Sequence, residues 1–294
     1  MSEPSPSPLH VFGEFGARAI GGPSIAVFPS GTGPPLVLVH GATADHTTWR
    51  TSGPLLAPHH TLYAIDRRGR GDSSDGRPGE PYEIDREFED LVAVIDAITA
   101  IDGLPVDVVG HSYGGRIALG AALRTQNLRR LVVYEGAPPV PWGRGYQDAD
   151  ARALRSIEAF IAAGDRDEAL ATFMREIVGM PDADLAAFRA DPIWPRRAAA
   201  VHTTIRELRA ETSEAGSLAA LGEVRQPVLQ ILGGRAACHS PRRRERWTPD
   251  CGMGESSPSK ARATPHTTPT PASSWPRSKR SWPVLTWQTP RHEL

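Results

Sequence analysis

Residues 110–115 read Gly-His-Ser-Tyr-Gly-Gly, directly after the apolar run Val106-Asp107-Val108-Val109. This is a G-x-S-x-G pattern set between a buried strand and an amphipathic helix, and that setting restricts what the chain can become. A serine at such a junction sits on a very tight strand-to-helix turn that lifts its hydroxyl above the sheet. Backbones crowd there, so the residues two before and two after it must be small. Gly110 and Gly114 meet that demand, and Ser112 is the candidate nucleophile.

The pattern around it supplies a sheet. Runs at 9–15 and 24–28 predict two opening strands, and Leu36-Val37-Leu38-Val39 a short buried one. Further strands are expected at 60–65, 105–109, 130–134 and 227–232. Ile84, Phe88, Leu91, Ile95 and Ile98 recur at steps of three and four, which predicts an amphipathic helix over 82–98; a second is expected at 114–125. Strands alternating with helices predict an α/β fold, a mostly parallel sheet with helices on both faces. Residues 148–214 break the alternation and predict helices at 148–163, 166–178, 182–190 and 195–212, punctuated by Pro181, Pro192 and Pro195. A helical insertion between the sixth and seventh strands stands at the carboxyl edge of the sheet, where a lid belongs.

The 294 residues suffice for one large α/β domain. A formal net charge of −1 gives no electrostatic pull toward nucleic acid or an anionic membrane. No stretch approaches a transmembrane helix, and the opening MSEPSPSPLH has no signal-peptide apolar run. The expectation is a cytoplasmic protein with a small-molecule partner, no nucleic acid, no membrane, no cofactor and no metal; oligomeric state stays open. Composition changes near the end. Lys260, Lys279, Cys238, Cys251, Trp247, Trp275, Trp282 and Trp287 all follow residue 234, before which there is no lysine or cysteine. A tail rich in Pro, Arg, Ser and Thr without apolar periodicity does not continue such a fold. The expected organisation is a core over 1–235 with its lid at about 137–222, then an aberrant, disordered tail over 236–294, with the last strand of the sheet lost.

In this order, the strand, the GHSYGG turn, the HGAT loop at 40–43 and the helical insertion resemble the α/β-hydrolase superfamily over about residues 9–234. DRRGRGDS at 66–73 is similar to that family's D-x-R-G-x-G-x-S segment, and PVLQILGG at 227–234 to the strand before its last stretch of sheet. The resemblance implies a serine nucleophile at Ser112 and an oxyanion hole from the backbone N–H groups of Ala42 and Tyr113. It gives Asp66 a loop-bracing role and makes His40 and His111 structural. No carboxylate follows 227–232 at the usual position of the orienting acid. A minority arrangement places that acid after the preceding strand, where Glu135 ends Leu-Val-Val-Tyr-Glu.

The family's base lies in a G-x-G-H loop after an eighth strand, and nothing from 236 onward offers one. His266 stands at about the expected linear distance without a strand before it. A reading frame shifted by one nucleotide over 250–272 can spell an apolar strand, a turn and a G-x-G-H loop, so an out-of-frame tail is the expectation. Two function classes follow. One is a serine hydrolase acting on a small carboxylic ester, lactone or thioester, with cofactor-free perhydrolase (haloperoxidase-type) chemistry on the same machinery. The other is a protein that keeps the fold but turns over poorly because its catalytic histidine is missing.

Overall fold

The computed structural model describes residues 15–18, 24–76, 79–136, 144–210, 223–233 and 284–287. Eight strands form one sheet: β1 (Phe15–Arg18), β2 (Ser24–Gly31), β3 (Pro35–Val39), β4 (Thr61–Ile65), β5 (Val106–His111), β6 (Leu128–Tyr134), β7 (Val228–Gly233) and β8 (Val284–Trp287). Their spatial order is β1-β2-β4-β3-β5-β6-β7-β8. The two pairings that involve β2 are antiparallel and the other five parallel, so the expected mostly parallel α/β architecture is the one observed. The expected strand at 9–15 is met only at its last residue; 9–14 lie outside the described residues.

Side-chain alternation explains how each central strand serves two layers. Val37 and Val39 of β3 join Tyr63 and Ile65 of β4 in the core under α2 (Ile84–Asp102) and α3 (Tyr113–Ala122). Leu36, Leu38, Leu62 and Ala64 face the other way, against Trp49 from the 3-10 turn His46–Trp49 and Leu56 from α1 (Gly53–Leu56). The stripe read from the sequence is the buried face of α2: Ile84, Phe88, Leu91, Ile95 and Ile98 are all buried, and Gly103 ends the helix at φ +68°. A Cβ on Gly120 would lie 2.4 Å from the Phe88 ring, so α2 and α3 approach at a glycine.

Between β6 and β7 the described chain is helical: α4 (Arg144–Ala162), α5 (Arg166–Thr172), a π-helical turn Phe173–Val178, α6 (Asp182–Arg189), α7 (Trp194–Ala200) and α8 (Thr203–Ala210). Ile157, Leu170, Phe173, Leu185, Trp194 and Val201 give these helices a core of their own.

The expected loss of the last strand is corrected. Val284-Leu285-Thr286-Trp287 lies parallel to β7, pairing Val284 with Gln230 and Trp287 with Gly233. Four residues of β-branched and apolar type suit a strand, and β7 without them would present a row of open N–H and C=O groups. Prolines at 283 and 290 and the polar tail around it hid this short run. The remainder of 236–294 lies outside the described residues.

Candidate active site

The junction of β5 and α3 is built on contacts that only glycine permits. A Cβ on Gly114 would lie 2.4 Å from the carbonyl oxygens of Val39 and His40, and one on Gly110 2.6 Å from Gly114 O and Gly115 Cα. The helix start is thereby pressed against the ends of β3 and β5. Ser112 takes up the turn at φ 52°, ψ −122°, a conformation that L-residues rarely adopt. Its N–H donates to Tyr134 O at 2.8 Å, and its carbonyl accepts from Gly115 N at 2.9 Å. The backbone is locked on both sides, and the side chain remains partly exposed at the carboxyl edge of the sheet.

The HGAT loop arrives at the same place. A Cβ on Gly41 would stand 2.9 Å from Ser112 Cβ, so the Gly41–Ala42 peptide passes directly beside the serine. Ala42 also packs against the apolar core of the inserted helices. Thr43 follows at φ +56°, buried, with Oγ1 lacking a hydrogen-bond partner. Thr43, Ser112 and Glu135 are the non-glycine residues with positive φ among those described, and they follow the neighbouring strands β3, β5 and β6. Backbone strain of about 1–3 kcal/mol per residue collects at functional sites. No sequence motif announced it at Thr43.

Glu135 is half-buried and sits at φ +53°, one residue beyond the Tyr134 carbonyl that holds Ser112; its own N–H donates to Ile231 O at 2.9 Å. The structure therefore brings Ser112, Tyr113, Ala42 and Glu135 to adjacent strand ends. His266 lies outside the described residues.

The other histidines near this edge are engaged elsewhere. His40 is fully buried; Nδ1 donates to Gly41 O at 2.9 Å and Nε2 accepts from Arg67 N at 3.0 Å, which fixes a neutral ring. Burial first, then the Arg67 charge, hold its pKa well below the usual value. The His111 ring stacks on Tyr134 at 5.1 Å. His46 stacks on Phe28 at 3.6 Å and bonds through Nδ1 to Asp66 at 2.9 Å. Asp66 also accepts from His46 N at 2.7 Å and Asp72 N at 2.8 Å, so it braces the loop. Asp45, His46 and Asp66 bring ligand-type atoms within 4.8 Å of one another, but Asp45 is spent on Thr47 and Arg196. This group reads as a hydrogen-bonded brace rather than a metal centre.

Beneath the HGAT loop lies an ion cluster that the sequence reading missed. Arg67 grips Glu87 with Nε and Nη2, each at 2.8 Å, and Nη2 also donates to Glu207. Arg70 reaches Glu87 and Glu207 as well, and Tyr82 Oη donates to Glu87 at 2.7 Å. Arg67, Arg70, Glu87 and Glu207 are all buried. The Tyr113 ring is sandwiched into this cluster, with the Arg67 guanidinium 4.8 Å above it and its hydroxyl 3.2 Å from that of Tyr82. Burial pushes the Tyr113 phenol upward, with Glu207 next in effect, so it stays protonated. Glu87 was the visible signal: a carboxylate on the apolar stripe between Ile84 and Leu91.

Comparison with known proteins gives an independent result. A model described as the alpha/beta hydrolase family matches residues 36–266. The chain is 32% identical over 223 residues to an N-formylmaleamate deformylase of Pseudomonas putida, covering 72% of this chain and 75% of that protein. It is 36% identical over 146 residues to a 2-hydroxymuconate semialdehyde hydrolase of a Pseudomonas species, 45% of this chain and 50% of the relative. An alpha/beta hydrolase structure from Sphaerobacter thermophilus aligns with a TM-score of 0.63 at 34% identity, covering 79% of this chain and 85% of that one.

Proposed function

We propose that this chain, which belongs to the alpha/beta hydrolase family, is a serine hydrolase acting on a small ester-type carbonyl through Ser112. The observation that carries the reading is the strained Ser112 backbone at φ 52°, held beside the Gly41–Ala42 peptide. Ser112 Oγ attacks the carbonyl carbon and passes its proton to a base. The carbonyl oxygen becomes an oxyanion that accepts from the N–H groups of Ala42 and Tyr113. The base returns the proton to the leaving group, and water then releases the acyl group by the same steps. Glu135 orients the base, which in this reading is His266, the residue on which the family match ends. The helices between β6 and β7 act as the lid, since their apolar core packs on Ala42.

A second reading concerns the scissile bond. The 32% identical relative is named a deformylase, which favours an N-formyl amide over an ester while leaving the residue roles unchanged. Both are tested by hydrolysis of a short-chain p-nitrophenyl ester and of an N-formyl amide, with Ser112→Ala beside each. Turnover of either that is lost in Ser112→Ala supports the reading, and turnover that survives the substitution overturns it.

A further inference from the structure

The buried cluster joins parts of the chain that are far apart. Arg67 and Arg70 come from the loop after β4, Glu87 from α2, and Glu207 from α8 of the inserted helices. The buried face of α8 is polar, Thr203, Thr204 and Glu207, so this helix does not seat itself by apolar packing alone. Glu207 Oε1 accepts from both arginines, while its Oε2 has no hydrogen-bond partner. The carboxylate is thus committed to holding guanidinium groups. Without it, two buried cations would share Glu87 alone, an arrangement that a low-dielectric interior disfavours.

One further donor of this assembly points toward the candidate active site. Arg67 Nη1 donates to Gly41 O at 3.2 Å, and His40 Nδ1 donates to the same oxygen at 2.9 Å. That carbonyl belongs to one planar trans peptide with the Ala42 N–H, so the two point in opposite directions. Whatever fixes the carbonyl therefore aims the N–H. A cation on the carbonyl also polarises the amide and makes its N–H a stronger donor.

We infer that Arg67 and Glu207 are positioning residues for the oxyanion hole: Glu207, carried by the inserted helices, holds Arg67, which locks the Gly41–Ala42 peptide in its donating orientation. This rests on the reading of Ala42 as an oxyanion donor. Seating of α8 and competence of the oxyanion hole are then coupled, because α8 cannot leave without taking one of the two carboxylates that hold Arg67. Both arginines on Glu207 occupy variable positions of the D-x-R-G-x-G-x-S segment, so the coupling is a property of this chain rather than of the motif.

The test uses the full chain and two readouts. The first is the backbone order parameter of the Ala42 N–H by NMR relaxation, which needs no activity. The second is the rate at which a fluorophosphonate labels Ser112. In the parent, Ala42 should show an order parameter near 0.85, the value of a rigid backbone, falling toward about 0.6 or below in Arg67→Met. Arg67→Lys, which keeps the charge and a single donor nitrogen, should recover part of the difference. Where Arg67→Met does not fold, the isosteric Glu207→Gln serves in its place. Labelling should slow by about ten- to a hundred-fold in the folded variants, below the roughly hundred- to thousand-fold cost of losing a donor outright. A purely structural role would lower the melting temperature and leave both readouts unchanged, and that result overturns the inference. So does a mobile Ala42 amide with an unaltered labelling rate. Parent labelling that is absent, or that persists in Ser112→Ala, counts against the proposed function instead; the Ala42 order parameter then decides the positioning role by itself.

Discussion

The N–H of Ser112 donates to the carbonyl oxygen of Tyr134 at 2.8 Å, tying the turn after β5 to the end of β6. Glu135 is the next residue, so the carboxylate and the hydroxyl rise from neighbouring strand ends held by one hydrogen bond. An acid placed there can orient a base over the serine and need not come from the segment after β7.

That placement predicts the behaviour of Glu135→Gln. The substitution keeps size and removes charge, so the fold should change little while turnover falls by roughly a thousand-fold or more, the loss expected of a triad acid. Steady-state kinetics beside a urea titration separates the two. Activity within about threefold of the parent removes Glu135 from the role.

Gly114→Ala is expected to be among the most damaging single-methyl changes in this chain. Its new Cβ would meet two backbone carbonyl oxygens at 2.4 Å, and neither β3 nor α3 can yield without moving the serine. Overpacking of this kind costs about 1–3 kcal/mol or more. Denaturant unfolding should report the loss, and a stability equal to the parent would contradict the tight turn described at Ser112.

Acidification should destabilise the fold in two steps. His40 is held neutral by burial and by Arg67, so below about pH 6.5 the unfolded chain takes up a proton that the native state refuses. Stability therefore rises with pH through that window, by up to about 1.4 kcal/mol per unit for one such group. Burial alone would raise the Glu87 carboxyl, but Arg67 and Arg70 hold it far below the usual range. Its contribution is present above about pH 4.3 and is lost on further acidification. His40→Gln should flatten the first step and spare the second; a slope between pH 7 and 5 unchanged by the substitution would rule out His40 as its source.

Much of this architecture could be read from local patterns, because its determinants are close in sequence. The alternation of Val37 and Val39 with Leu36 and Leu38, the stripe from Ile84 to Ile98, and the glycines around Ser112 each encode a local geometry. The ion cluster could not be read this way. Arg67 and Glu207 are 140 positions apart, and the face of α8 that is buried is the polar one, which apolar periodicity passes over. The left-handed backbone of Thr43 has no residue-type signature, and the strand at Val284–Trp287 is too short to stand out from the prolines around it.

An out-of-frame tail over 236–294 would leave Ser112 without a base and so competes with His266 in that role. If it holds, a single-nucleotide change that restores the frame raises hydrolysis of p-nitrophenyl butyrate by several orders of magnitude, since loss of a base from a comparable triad costs on the order of a million-fold. Equal rates for the chain as it stands and the restored chain would show that this tail already supplies the base.

Fluorophosphonate labelling followed by peptide mapping reads out the proposed nucleophile, Ser112, at the serine itself. One modified residue, Ser112, is expected, with labelling abolished in Ser112→Ala. Modification of a different serine, or labelling undiminished by that substitution, would contradict it.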